Sequence, residues 1–132
     1  MAEQQQLPTI ASWLQQHESL ARIELEVALC HALNCSRAYL LSHPEQSLER
    51  QALDQLDHWV HQLHHHVPLA YLTGKQEFWG LVLSVDERVL VPRPDTEILV
   101  ERALECLQEA SAPADTCDLM ALDLGTGSGA IA

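Results

Sequence analysis

Apolar residues recur at helical spacing as far as about Leu72 and then give way to an alternating pattern, so two kinds of structure are predicted along one chain. Thr9 is placed to cap a first helix in which Ile10, Trp13 and Leu14 share a face, with His17 one turn further along. From Arg22 to Leu33, Leu25, Leu29, Ala32 and Leu33 form one stripe and Ile23, Val27 and Cys30 another, the pattern of a central helix apolar over much of its circumference. Asn34 can close it in a left-handed conformation, and Ser36 can cap a short helix through Leu41 that His43-Pro44 ends. Ser47 is expected to open the longest helix, roughly 20 residues or about 30 Å. Its apolar positions are Leu48, Ala52, Leu56, Trp59, Val60 and Leu63, and Pro68 stops it. These pieces predict a small all-α bundle.

At Thr73-Gly74 the pattern changes. The segment KQEFWGLVLSV alternates Leu81, Leu83 and Val85 against Val82 and Ser84, which predicts a β-hairpin. Asp86-Glu87-Arg88 turns the chain, and Val89-Leu90-Val91 reads as a further short strand cut off by Pro92. Pro94 and Asp95 start a helix with Asp95 as its expected cap and Glu97 in the first turn, where an anion suits the helix dipole. Leu99, Ala103, Cys106, Leu107 and Ala110 fall on one face, expected to be buried. Ser111 to Asp118 reads as a loop into the apolar run LMALDL, which suits a parallel strand covered on both sides.

Composition narrows the function classes. The 132 residues offer room for one ordinary domain, or for one small domain and the beginning of another. Seven basic against nineteen acidic residues give a net charge of −12, which repels phosphate backbones and anionic membrane surfaces, so neither nucleic acid nor membrane is expected as a partner. No leader pattern and no apolar run of membrane-spanning length is seen, and a cytoplasmic location is expected. Cys30, Cys35, Cys106 and Cys117 lack metal-site spacing and read as free thiols. His58, His61 and His65 share a helix face and could bind a divalent metal, but a solvated polar face opposite Leu56, Trp59, Val60 and Leu63 accounts for them without a ligand, no cysteine or carboxylate completes a set, and no metal is expected.

The chemistry concentrates at the end. Asp123-Leu124-Gly125-Thr126-Gly127-Ser128-Gly129 places an acidic residue and three alternate glycines after an apolar run, as an open α/β sheet does when it builds a nucleotide pocket. Glycine lets the chain turn sharply and lets its backbone approach a ligand. Gly125, Gly127 and Ala130 also satisfy the loose dinucleotide pattern, and a structural turn is a third reading. Asp123 disfavours a nearby pyrophosphate but suits a ligand carrying an ammonium and a sulfonium, as S-adenosylmethionine does. A phosphate-binding P-loop is excluded, since no lysine follows the glycines.

Three stretches carry a more specific likeness: PLAYLTGKQEFWGL (Pro68 to Leu81), VLVPRPDTEILVE (Val89 to Glu101) and LDLGTGSGAIA (Leu122 to Ala132). In this order they resemble the HemK/PrmC family of protein-glutamine N5-methyltransferases. The resemblance implies a helical substrate-recognition domain over 1–72, a β-hairpin linker over 73–91, and from 92 to 132 the start of a class I, Rossmann-like methyltransferase domain. It implies S-adenosylmethionine as cofactor and peptide chain release factors as protein substrate. Gly125, Thr126, Gly127, Ser128 and Gly129 are then expected to contact the methionine part of the cofactor with Asp123 supporting the loop, and Arg93, Pro94, Asp95, Thr96 and Glu97 to lie beside the active site.

An amide nitrogen is a weak nucleophile, so the chemistry is mainly orientation, which the family assigns to an Asn-Pro-Pro-Tyr loop. That loop is not in these 132 residues, and neither is the acidic residue expected about 20 positions past the glycines to hold the ribose. No catalytic residue is therefore assigned within the chain, which is expected to be a truncated piece without activity. A release-factor-binding helical module without catalysis is the alternative from another class.

Overall fold

The computed structural model describes residues 7–110 and 120–131, and the chain divides after Thr73 into two compact units. The first unit is built from five helices. α1 (Ile10–Gln16) begins with a reciprocal cap in which Ser12 N–H donates to Thr9 Oγ1 at 3.2 Å and Thr9 N–H donates to Ser12 Oγ at 2.9 Å. It buries Ile10, Trp13 and Leu14, and the His17 ring leans on Trp13 with centroids 4.6 Å apart.

α2 (Arg22–Leu33) ends where Asn34 enters the left-handed region at φ 49°. There Asn34 N–H donates to His31 O and Cys35 N–H to Cys30 O at 3.0 Å, the two bonds of a Schellman cap. α3 (Arg37–Ser42) is capped by Ser36, whose hydroxyl accepts from Tyr39 N–H at 3.2 Å. α3, α4 (Arg50–His64) and the one-turn α5 (Leu69–Thr73) all pack against α2, which is central. They cover one side of it. Leu25, Ala28 and Leu29 are buried, while Ile23 and Val27, expected to form a second buried stripe, remain exposed.

The longest helix starts later than expected because the residues before it are committed elsewhere. Thr9 and Ser47 form an isolated antiparallel bridge, Ile10 N–H donates to Gln46 O at 2.9 Å, and Leu48 N–H donates to Pro8 O at 2.9 Å. Glu49 therefore takes the cap position and α4 has 15 residues, although Leu48 is still fully buried. Leu29, Leu40, Leu48, Leu56, Trp59, Val60 and Leu63 join the α1 residues in one core. α5 leaves no mark in the apolar pattern, since five residues after Pro68 are too few to display a period.

In the second unit, β1 (Lys75–Phe78) and β2 (Leu81–Ser84) pair antiparallel with Phe78 opposite Leu81, as the alternation predicts. Trp79 and Gly80 close the hairpin with φ values of 52° and 73°, a primed two-residue turn that matches the twist of the strands. Val89-Leu90-Val91 forms no strand. Asp86 draws the chain into a tight turn by accepting from Arg88 N–H at 3.0 Å, and Pro92 has no N–H to offer a ladder.

A 3-10 turn (Pro94–Thr96) leads into α6 (Glu97–Ala110), with Arg93 rather than Asp95 at the cap position. Pro94, with φ already set for a helix, starts it two residues early and leaves Asp95 in the first turn. The expected buried face of α6 is not buried: Leu99, Ala103 and Cys106 are exposed and Leu107 is half-buried. A helix stripe goes dry only when another layer lies on it, and among the described residues the 3-10 turn is the main neighbour of α6.

Met120 to Leu124 likewise form no strand, so the start of a parallel α/β sheet is not seen among the described residues, whose sheet is the hairpin alone. The predicted loop from Ser111 to Asp118, with Cys117, and the first residue of the LMALDL run, Leu119, lie outside those residues. No described helix is long and apolar enough to cross a membrane.

Candidate functional site

The glycine loop has the backbone that its composition demands. Gly125, Gly127 and Gly129 adopt φ values of 78°, 57° and 77°, where a side chain would be strained. A Cβ built on Gly125 or Gly129 would meet nothing within 4 Å, and on Gly127 only Gly125 O at 3.9 Å. Conformation, not packing, thus calls for glycine here. The space in front of the loop stays open, which fits a site where a ligand meets bare backbone.

Asp123 holds the loop from one side, its Oδ2 accepting from Thr126 Oγ1 at 2.6 Å, and Gly129 N–H closes a turn onto Thr126 O at 2.8 Å. Asp123, Ser128 and Gly129 are half-buried, whereas Gly125, Thr126 and Gly127 are exposed. Gly127 and Ser128 form one wall of an open concavity whose other wall is Ser84 to Asp86, Arg88 and Val89 at the end of the hairpin. One wall thus offers a glycine and a serine, and the other a carboxylate paired with a guanidinium.

From the sequence, Asp86 and Arg88 are turn residues only. Arg88 Nε donates to both oxygens of Asp86, at 3.1 and 3.0 Å, and Arg88 Nη2 makes a further close contact with Oδ2. The hydrogen bonds from Arg88 lower the Asp86 carboxyl below its ordinary range, and the carboxylate raises the guanidinium in turn. The only signal for this pair was two opposite charges two residues apart directly after a strand.

The segment Arg93 to Glu97 does not line that concavity. Arg93, Pro94 and Asp95 are exposed, and Thr96 and Glu97 are half-buried. Glu97 instead accepts from Trp79 N–H at 2.9 Å and fastens the hairpin tip to the first turn of α6. At the end of α4, the rings of His61 and the capping residue His65 lie 4.7 Å apart, and among the described residues no three histidines, cysteines or carboxylates converge to hold a metal.

Comparison with known proteins finds relatives of this chain. A protein named release factor glutamine methyltransferase from Shewanella oneidensis is 39% identical over 136 residues, covering 100% of this chain and 45% of that protein. Its namesake from Escherichia coli (strain K12) is 42% identical over 132 residues, with 100% and 45% covered. One from Xylella fastidiosa (strain 9a5c) is 42% identical over 115 residues, 87% of this chain and 40% of its own length. The chain thus spans less than half the length of these curated relatives. Residues 6–74, more than half of the chain, match the PrmC N-terminal domain, and it is to that family that the chain belongs.

Proposed function

We propose that this chain is the front part of an enzyme that transfers a methyl group from S-adenosylmethionine to the side-chain amide nitrogen of a glutamine in peptide chain release factors. The observation that carries this reading is the match over the whole chain to proteins named for that reaction, which favours a methyl donor over a dinucleotide for the loop of three positive-φ glycines.

The helical region over 1–72 brings in the protein substrate, 73–91 links it, and 92–132 begins the catalytic domain. Gly125, Thr126, Gly127, Ser128 and Gly129 hold the methionine end of the cofactor through backbone amides, and Asp123 fixes the loop through Thr126. Bound there, the cofactor supplies an electrophilic methyl group on a sulfonium. Arg93 to Glu97 support the site from the first turn of α6, where Glu97 holds the hairpin tip. The residues of this chain therefore bind and orient, and the 132 residues by themselves are expected to transfer no methyl group.

The test uses a protein that carries this sequence and extends to the length of its relatives, incubated with a release factor and methyl-labelled S-adenosylmethionine. Label on a glutamine side chain is expected, with at least a tenfold loss of cofactor affinity, about 1.4 kcal/mol, in Gly127→Val. Binding of NADH in place of S-adenosylmethionine, or label on another side chain, overturns the reading. The alternative of a purely release-factor-binding module draws on the match of residues 6–74 and on the closed helical core. Retention of a release factor by an extended protein that binds no S-adenosylmethionine decides for it.

A further inference from the structure

The Schellman cap that ends α2 puts two cysteines where side chains meet. In this motif the residue three positions inside the helix end and the second residue beyond it are joined by a backbone hydrogen bond, and their side chains commonly touch. Here those positions are Cys30 and Cys35, joined by Cys35 N–H to Cys30 O at 3.0 Å, with Asn34 supplying the left-handed turn between them. Both are free thiols of intermediate exposure packed against the core of the first unit. Burial pushes the Cys30 thiol up, and the adjacent Cys35 pushes it further, as expected of two sulfurs side by side. Cys35 lines an open groove with Asn34, Ser36, Tyr39, Gln46 and Gln55, whose lining does not include Cys30.

We propose that Cys30 and Cys35 are a dithiol modification site that low-molecular-weight disulfides oxidise to an intramolecular disulfide, with Cys35 as the attacking thiol and Cys30 as the resolving one. The Cys35 thiolate attacks one sulfur of the small disulfide; a protein–small-molecule mixed disulfide forms and one small thiolate leaves. The Cys30 thiolate then attacks the Cys35 sulfur and the second small thiolate leaves. The two protons given up by the protein thiols end on the two released thiols. The protein pair loses two electrons and the small disulfide gains them. Because the Cys30 thiolate is disfavoured, resolution is the slow step and quickens with rising pH.

The experiment treats the full chain with oxidised glutathione in a Cys106→Ser/Cys117→Ser background, which removes the other two thiols. Cys30 and Cys35 fall in the single tryptic peptide Ile23 to Arg37, so the expected product is that peptide lighter by two hydrogens. Cys30→Ser is expected to stop at the mixed disulfide on Cys35, and Cys35→Ser to form mixed disulfide at Cys30 at least tenfold more slowly. Circular dichroism confirms that each variant keeps its helices. A wild-type peptide that gains glutathione on both sulfurs, stays reduced, or reacts first at Cys30 overturns the proposal.

Discussion

The two units obey the same rules of apolar spacing and end in different states. In the first, stripes on α1, α2, α3 and α4 face one another, and Ile10, Trp13, Leu29, Leu40 and Leu56 are each no more than 1% exposed. In the second, α6 carries an equally regular stripe, yet Ile98 and Leu99 are 63% and 56% exposed, as Leu81 and Val82 are on the hairpin. Periodicity therefore states which face a segment offers, and burial depends on whether another layer takes up the offer.

The largest expected effect tests that contrast directly. Leu29→Ala is expected to destabilise the first unit by about 2–5 kcal/mol, because a cavity opens in a closed core. Leu99→Ala should shift stability by less than about 0.5 kcal/mol, because that side chain is already in water. Urea unfolding followed by circular dichroism measures both, and equal losses would erase the distinction between the units.

Next in size is Glu26, the one buried charged side chain among the described residues. Its oxygens accept from Arg22 Nε at 2.9 Å and Arg37 Nε at 2.8 Å, tying α2 to the start of α3. Both arginines keep about three fifths of their side chains in solvent and can be rehydrated, so Glu26→Ala is expected to cost about 1–3 kcal/mol. A loss as large as that of Leu29→Ala would show the carboxylate to be as important as the apolar core.

Thr9→Ala removes half of the reciprocal cap on α1 and should cost about 1 kcal/mol, read as a lower Tm. No change would mean that the bridge to Ser47 fixes the start of α1 by itself.

The smallest effect is that of pH. The hydrogen bond from Arg22, seconded by Arg37, holds the Glu26 carboxyl below its ordinary 4.5 in spite of its burial. Burial lowers His17 below its ordinary 6.5, with His64 adding to the shift and Asp57 opposing it. For both groups the unfolded chain binds the proton more readily. His17 thus contributes stability that is complete above about pH 6.5 and is lost as pH falls through its folded value, and Glu26 does the same below about pH 4.5. Thermal melts should fall in two steps on acidification, the upper one vanishing in His17→Leu. A Tm that rises as the pH drops contradicts both assignments.

Much of this was legible in the sequence, for reasons that differ from place to place. Thr9, Asn34 and Ser36 act locally, so their caps could be read from residue type and position. The hairpin followed from its alternation, and the glycine loop from the need of three alternate residues for positive φ. The late start of α4 could not be read, because Ser47 is drawn away by Thr9, 38 positions earlier. Nor could the pairing of Asp86 with Arg88 across from Gly127 and Ser128, which depends on the path of the intervening chain. Glu97 carries a bond to the hairpin tip, a role that no local pattern announces.

The clasp between Pro8 to Ile10 and Gln46 to Leu48 is expected to form late as the helical unit assembles. Its bonds join segments that are distant along the chain, and the entropy of closing so long a loop must be met before they form. α2, α3 and the front of α4 can meet through nearer neighbours, which makes α1 the last piece to dock and the first to detach. In hydrogen exchange, the amides of Ile10 and Leu48 should therefore open together and ahead of Leu29.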